Sequence, residues 1–190
     1  MTNQERALAA LARAFDEHEV PYMVIGGQAN ALWGEPRATL DIDVTLWWPD
    51  ESRIDELVGY LAPQFLPRVK NPLDFVSETR VLPLATVEGL AVDVILGLLS
   101  FEEQAIQRAR SFEIGGEQVR FVTAEDLVLL KIVSQRDRDH ADIRGVVRMQ
   151  GKRLDLAYLE PRIEELSRLL DSPEIMEFWV AVKAGRARDD

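Results

Sequence analysis

The alternation that starts at Leu40 is the feature that most constrains this chain. Leu40, Ile42, Val44 and Leu46 fall on one side of an extended segment, and Asp41, Asp43 and Thr45 fall on the other. Successive side chains of a strand point to opposite faces, so this stretch reads as a half-buried strand whose two aspartates share a face. Trp47-Trp48-Pro49-Asp50 closes it. Ile54, Leu57, Val58 and Leu61 then mark a helix that ends before Pro63.

A second strand is expected over Gly89 to Gly97, where Asp93 is the single carboxylate in the run Leu90-Ala91-Val92-Asp93-Val94-Ile95-Leu96. A carboxylate in such a setting costs several kcal/mol of desolvation unless it is paired or bound to a cation. If the two strands are neighbours, Asp41, Asp43 and Asp93 can converge on one or two divalent ions roughly 4 Å apart. Taken singly, each feature has a plainer reading: two outward carboxylates on a strand usually form a solvated face.

Upstream, Thr2 and Glu5 read as a capping box, with Leu8, Leu11, Ala12 and Phe15 on one face of a first helix. Tyr22-Met23-Val24-Ile25 is a short buried strand stopping at the Gly26-Gly27 turn, and a short helix, 28 to 33, follows. The proline-rich stretch from Phe65 to Thr86 reads as loops and short edge strands. After a helix at 101 to 110, Gly115-Gly116 marks a hairpin, and from Thr123 onward the chain is helical. The expected architecture is α/β: a small mixed sheet flanked by helices over residues 1–122, with a helical C-terminal region, 123–190, packed on that core.

Among the 190 residues there is no cysteine and there are only two histidines. That excludes disulfides, thiolate nucleophiles, cysteine-held zinc and a histidine-built metal site. Any metal must be held by oxygen, which points to magnesium or manganese. The net charge of -11 disfavours a broad nucleic-acid surface. No basic stretch followed by a long apolar run opens the chain, and no apolar segment approaches the roughly 20 residues that cross a bilayer. A cytoplasmic protein without a membrane partner is expected.

Val24-Ile25-Gly26-Gly27, then Arg37-x-Thr39-x-Asp41-Ile42-Asp43, then Val92-Asp93-Val94 together resemble the signature of DNA polymerase β-type nucleotidyltransferases. Gly26-Gly27-x-Ala29, Gly34, Glu125-Asp126-Leu127 through Lys131, and Asp139-x-x-Asp142 are similar to the AbiEii-type branch, which includes toxins of toxin-antitoxin pairs. The resemblance covers roughly residues 20 to 150. It implies that Gly26 and Gly27 let the backbone approach a nucleoside triphosphate, and that Asp41 and Asp43 ligate the magnesium escorting it. The resemblance further implies that Asp93 completes a site for two ions, with manganese as the alternative, and helps deprotonate the acceptor hydroxyl. Arg37, Thr39 and Lys131 complete the nucleotide-binding set implied by the resemblance. The superfamily often has serine where this chain has Gly27, which leaves only a backbone N–H for the phosphates there.

Lys131 lies in the apolar context Val128-Leu129-Leu130-Lys131-Ile132-Val133, where a charge is directed into a site. Arg136, Arg138, Arg144 and Arg148 concentrate basic charge downstream. They are either a grip on the triphosphate or an RNA backbone, or a solvated face partnered by Asp137, Asp139 and Asp142. Arg37 either binds phosphate or pairs with Glu35. The leading functional expectation is magnesium-dependent transfer of a nucleoside monophosphate to RNA or protein, with a toxin role and a cognate antitoxin as partner. The alternatives are an aminoglycoside-like small-molecule acceptor and a non-catalytic binding module.

Overall fold

The computed structural model describes residues 1–48, 50–134 and 136–189, with side chains through residue 185; Pro49, read above as part of the strand's end, lies outside the described residues. Contacts divide the chain into two units, residues 1–28 with 38–122, and residues 29–37 with 123–190. Residues 29–37 thus group with the C-terminal helices rather than with the segments on either side of them.

In the first unit, Thr2 caps α1 (Asn3–Glu17): its hydroxyl accepts from the Glu5 N–H while the Glu5 carboxylate accepts from the Thr2 N–H. The face carrying Leu8, Leu11, Ala12 and Phe15 is buried, as the spacing requires. The chain then forms β1 (Tyr22–Val24), enters α2 (Gly26–Trp33) at the glycine pair, and continues through β2 (Asp41–Trp47) and α3 (Ile54–Leu61). There follow β3 (Phe65–Pro67), α4 (Pro72–Thr79), β4 (Val81–Thr86), β5 (Ala91–Gly97), α5 (Ser100–Arg108), β6 (Arg110–Ile114) and β7 (Glu117–Phe121).

The seven strands form one mixed sheet in the order β3-β4-β5-β2-β1-β7-β6. The β2–β5 and β1–β7 pairs are parallel and the other four are antiparallel. Ile42, Val44 and Leu46 of β2 and Val92, Val94 and Leu96 of β5 are all buried, which is the apolar face read from the alternation. Leu40 departs from that pattern, since it precedes the strand and is 85% exposed. Gly115 and Gly116 both take positive φ, as a two-residue turn between right-twisting strands demands.

The proline-rich stretch is more ordered than its composition implies. Pro72 sits in the first turn of α4, where a missing N–H leaves nothing unsatisfied, and Arg80 ends that helix in the left-handed conformation. Pro83 lies within β4, a strand paired on both sides, rather than at an edge.

The second unit is helical: α6 (Ala124–Ile132), α7 (Asp137–Gln150), α8 (Leu156–Leu169) and α9 (Glu174–Asp189) follow Thr123, whose hydroxyl accepts from the Asp126 N–H. α6 packs on α7 and α8, and α9 packs on the same two helices. Ile143, Val146, Leu159, Ile163 and Trp179 are fully buried there. Among the described residues, no helix is long and apolar enough to cross a membrane.

Candidate active site

In the first unit β2 and β5 run side by side in direct register, Asp43 opposite Asp93 and Asp41 opposite Ala91. The conditional in the sequence reading is therefore met. Partners in a parallel pair point to the same face, so the three carboxylates lie opposite the face of Ile42, Val44, Val92 and Val94.

The glycine turn is built against this face. Val24 at the end of β1 lies opposite Val44, and the Ile25 N–H donates to the Asp43 carbonyl at 2.9 Å. The chain then turns into α2 at Gly26, with φ +62°. A Cβ on Gly26 would lie 2.7 Å from Asp43 Cγ, and one on Gly27 would lie 2.7 Å from Thr39 Cβ. Both distances are shorter than nonbonded carbon atoms tolerate, so the side chains of Asp43 and Thr39 occupy the volume that the glycines vacate. Thr39 in turn donates its hydroxyl proton to Asp41 Oδ1 at 2.7 Å, and its carbonyl accepts from Gln4 Nε2 at 2.7 Å. Gln28, which sequence reasoning did not single out, follows the glycines with its Nε2 buried and, among the described residues, without an acceptor. Its only sequence signal is its place after the turn.

Asp93 requires a correction. Its apolar neighbours suggested a desolvated carboxylate, but Val92 and Val94 point to the core and Asp93 to the opposite face, with 35% of its side chain exposed. It is paired with Arg68. The strand order explains the partner: the Arg68 N–H, just past β3, donates at 2.8 Å to the carbonyl of Pro83, and Pro83 is the register partner of Asp93 on β4. Among the described residues, no three carboxylates or imidazoles are gathered closely enough to ligate one cation. Asp41 is engaged by Thr39 and Asp93 by Arg68. An open hollow of about 430 Å³ adjoins this pair, lined also by Val69, Phe75, Thr79, Val81 and Pro83.

Arg37 and Lys131, assigned to phosphates by the resemblance, both belong to the second unit. They converge on Asp142. Arg37 donates from Nε and Nη2 to its two oxygens at 2.8 and 2.9 Å, and Lys131 Nζ lies 2.8 Å from Oδ2. Glu35, the alternative partner for Arg37, instead pairs with Arg148. Lys131 also donates to Asp139 Oδ1 at 2.6 Å, and Arg136 donates to Asp139 Oδ2 at 2.7 Å. Burial pushes the Asp139 carboxyl up, but hydrogen bonds from Lys131, Ser134 and Arg136 and the Lys131 charge outweigh it and bring it down to about 2. Asp142 is lowered in the same way: burial opposes ionisation, and bonds from Arg37 and Lys131 overcome it. Arg136, Arg138, Arg144 and Arg148 are exposed along α7 and its start, with the Arg144 guanidinium 4.9 Å from the Phe178 ring centroid.

The sequence profile of a family described as nucleotidyltransferase of unknown function (DUF6036) matches residues 5–181. No curated protein matches the chain in sequence. Several solved structures share its fold. The antibiotic-resistance factor ANT(2'')-Ia, in solution, is 15% identical with 97% of each chain covered and a TM-score of 0.56. An antigenic nucleotidyltransferase-like protein from Paracoccidioides brasiliensis is 19% identical, with 95% of this chain and 92% of that one covered and a TM-score of 0.54. The lincomycin-bound lincosamide antibiotic adenylyltransferase LnuA is 14% identical, with 78% and 98% covered and a TM-score of 0.52. At such identities the likeness is one of fold, and the chemistry has to be argued from the site.

Proposed function

The chain belongs to the DUF6036 family of nucleotidyltransferases, and from that premise we propose that it moves a nucleoside monophosphate from a nucleoside triphosphate to a hydroxyl acceptor at the sheet face bearing Asp41, Asp43 and Asp93. The observation that carries this reading is the in-register pairing of Asp43 with Asp93 beside the Gly26 turn. Two carboxylates from adjacent strands and a third two residues away, on one face, are the donor chemistry that a hard divalent cation takes. Ligation by all three requires Asp93 to leave Arg68.

Asp41, Asp43 and Asp93 are the residues that would hold magnesium, as two ions, with manganese as the alternative. Bound there, the metal supplies neutralisation of triphosphate charge and acidification of the attacking hydroxyl. Thr39 orients Asp41, and Gly26 gives Asp43 its room. The buried amide of Gln28 and the N–H groups of the glycine turn are donors suited to phosphate oxygens. The acceptor oxygen forms a bond to the α-phosphorus while the bond to the bridging oxygen breaks. Pyrophosphate leaves with that electron pair, and the hydroxyl proton passes to the Asp93 carboxylate. Such catalysis rests on positioning and charge rather than on a protein nucleophile. Binding of the triphosphate by Arg37 and Lys131 rests on the resemblance alone, since both are tied to buried aspartates.

A small-molecule acceptor is the reading favoured by the hollow beside Asp93, whose volume falls within the range of ligand pockets; LnuA, of like fold, was solved with lincomycin bound. The second reading, an RNA or protein acceptor with the toxin role and antitoxin of the AbiEii branch, draws on the exposed arginines of α7. The deciding experiment is calorimetric titration of each of the four ribonucleoside triphosphates, with magnesium and with chelator, beside an Asp41→Ala/Asp43→Ala variant. Magnesium-dependent binding lost in the variant upholds the site. No binding of any triphosphate to the wild-type protein overturns it in favour of a non-catalytic module.

A further inference from the structure

The hollow beside Asp93 has a chemical character of its own. Of the seven residues that line it, two are charged: Arg68, whose side chain is 42% exposed, and Asp93, which Arg68 covers. The remaining surface is the half-exposed ring of Phe75, the hydroxyl-bearing Thr79, and Val69, Val81 and Pro83. Once Asp93 is engaged with a reacting hydroxyl or a cation, the described residues of the lining offer no other carboxylate for an ammonium group. It offers one guanidinium.

From this we infer that the acceptor is a small hydroxylated molecule bearing a carboxylate or phosphate on an apolar or aromatic body, and that Arg68 selects it by exchanging Asp93 for the acceptor's own anion. The inference rests on the transfer site proposed above and assigns its acceptor class. Arg68 is held for this exchange: its backbone is pinned to Pro83, directly across β4 from Asp93, so the side chain reaches both Asp93 and the open volume. An exposed ion pair is weakly held and yields to a competing anion at little cost. A guanidinium also matches the two oxygens of a carboxylate or phosphate in a planar fork. The exchange couples selection to chemistry. Departure of Arg68 uncovers the Asp93 carboxylate as the acceptor hydroxyl arrives beside it, and Phe75 supports the body of the molecule. A polycationic acceptor gains nothing from Arg68 and leaves Asp93 covered. The hollow therefore selects against aminoglycoside-like amines.

The test uses three probes of one shape, 4-(hydroxymethyl)benzoate, 4-(hydroxymethyl)benzamide and 4-(hydroxymethyl)benzylamine, titrated into the isotope-labelled full chain in metal-free buffer. NMR shifts of the Arg68 side-chain Nε–H and the Phe75 ring are followed. The benzoate is expected to shift both and to bind about two- to fivefold more tightly than the amide, the ratio expected of one exposed charge pair. That ratio is expected to collapse in Arg68→Gln and to survive in part in Arg68→Lys. Equal or tighter binding of the benzylamine, a benzoate response unchanged in Arg68→Gln, or no shift at Arg68 and Phe75 with any probe overturns the inference. Magnesium-dependent triphosphate binding by the wild-type chain is measured separately. If it persists while the probes fail, the transfer site stands and the acceptor class falls; if it is absent, the site reading itself falls.

Discussion

Gly26 and Asp43 occupy complementary parts of one space: a Cβ on the glycine would lie 2.7 Å from the carboxylate carbon. The glycine also holds φ +62°, a conformation that costs an L-residue about 1 to 2 kcal/mol. Gly26→Ala is therefore expected to lose at least that much stability by urea denaturation, and in addition to displace Asp43 and abolish magnesium-dependent triphosphate binding. Gly89→Ala separates the two effects. Gly89 also has positive φ, at +84°, but open space where a Cβ would go. It should show the backbone cost with binding intact. Undiminished binding in Gly26→Ala would remove the fit between glycine and carboxylate from any functional role.

Asp93 is expected to matter to chemistry and not to stability. Its pair with Arg68 is more than a third exposed, and such pairs contribute between about 0 and 1 kcal/mol. Asp93→Asn should therefore keep the wild-type denaturation midpoint within about 1 kcal/mol while transfer falls at least about 100-fold, the loss seen when one preorganised charge-stabilising group is removed. Full transfer in this variant would dissolve the three-carboxylate site. A large change in stability would mean that Asp93 is a structural anchor.

What could be read in advance was local. The alternation from Asp41 to Leu46 announced a half-buried strand, Thr2 and Glu5 a helix start, and Gly115-Gly116 a hairpin, because each depends on residues near in sequence. What escaped was set by distant partners. Asp93 looked dry because its neighbours are apolar, yet a strand puts those neighbours on the other face, and Arg68 arrives from just past β3, 25 residues away. Helix α4 escaped because prolines were weighed as breakers, whereas Pro72 occupies a helix's first turn, where proline fits. Lys131 was read as a charge directed into a site; its ammonium is paired with two buried aspartates. Its partners Asp139 and Asp142, 8 and 11 positions on, lie on α7, and only the packing of α6 on α7 brings them to it.

Acid sensitivity should trace to Asp139. Its carboxyl is held at about 2 in the fold against an ordinary value of 3.8. A lowered folded pKa means that the stabilisation is fully present above about pH 4 and is lost as pH falls from about 4 to about 2. The side chain is only 5% exposed, so the effect is of order 2 kcal/mol. Asp142 shifts in the same direction and deepens the loss. Denaturation midpoints at pH 7, 4 and 3 are expected to fall between the last two in the wild type and to fall less steeply in Asp139→Asn. Parallel profiles for the two proteins would show that another group governs the acid limb.

Lys131 is the anchor of that network. Its ammonium lies 2.6 Å from Asp139 and 2.8 Å from Asp142, both nearly fully buried. Removing one partner of a buried ion pair leaves charge without compensation, at a cost of about 3 to 5 kcal/mol. Because Arg37 and Arg136 remain beside the aspartates, Lys131→Met is expected near the lower end, about 3 kcal/mol. Neutralising a carboxylate as well, in Lys131→Met/Asp139→Asn, should recover part of the loss, since less uncompensated charge stays buried. A phosphate-binding lysine behaves differently: its loss raises the KM for the triphosphate under conditions where the variant remains folded. A Lys131→Met protein as stable as the wild type, with a raised KM, would place the ammonium at the triphosphate and overturn the anchoring role.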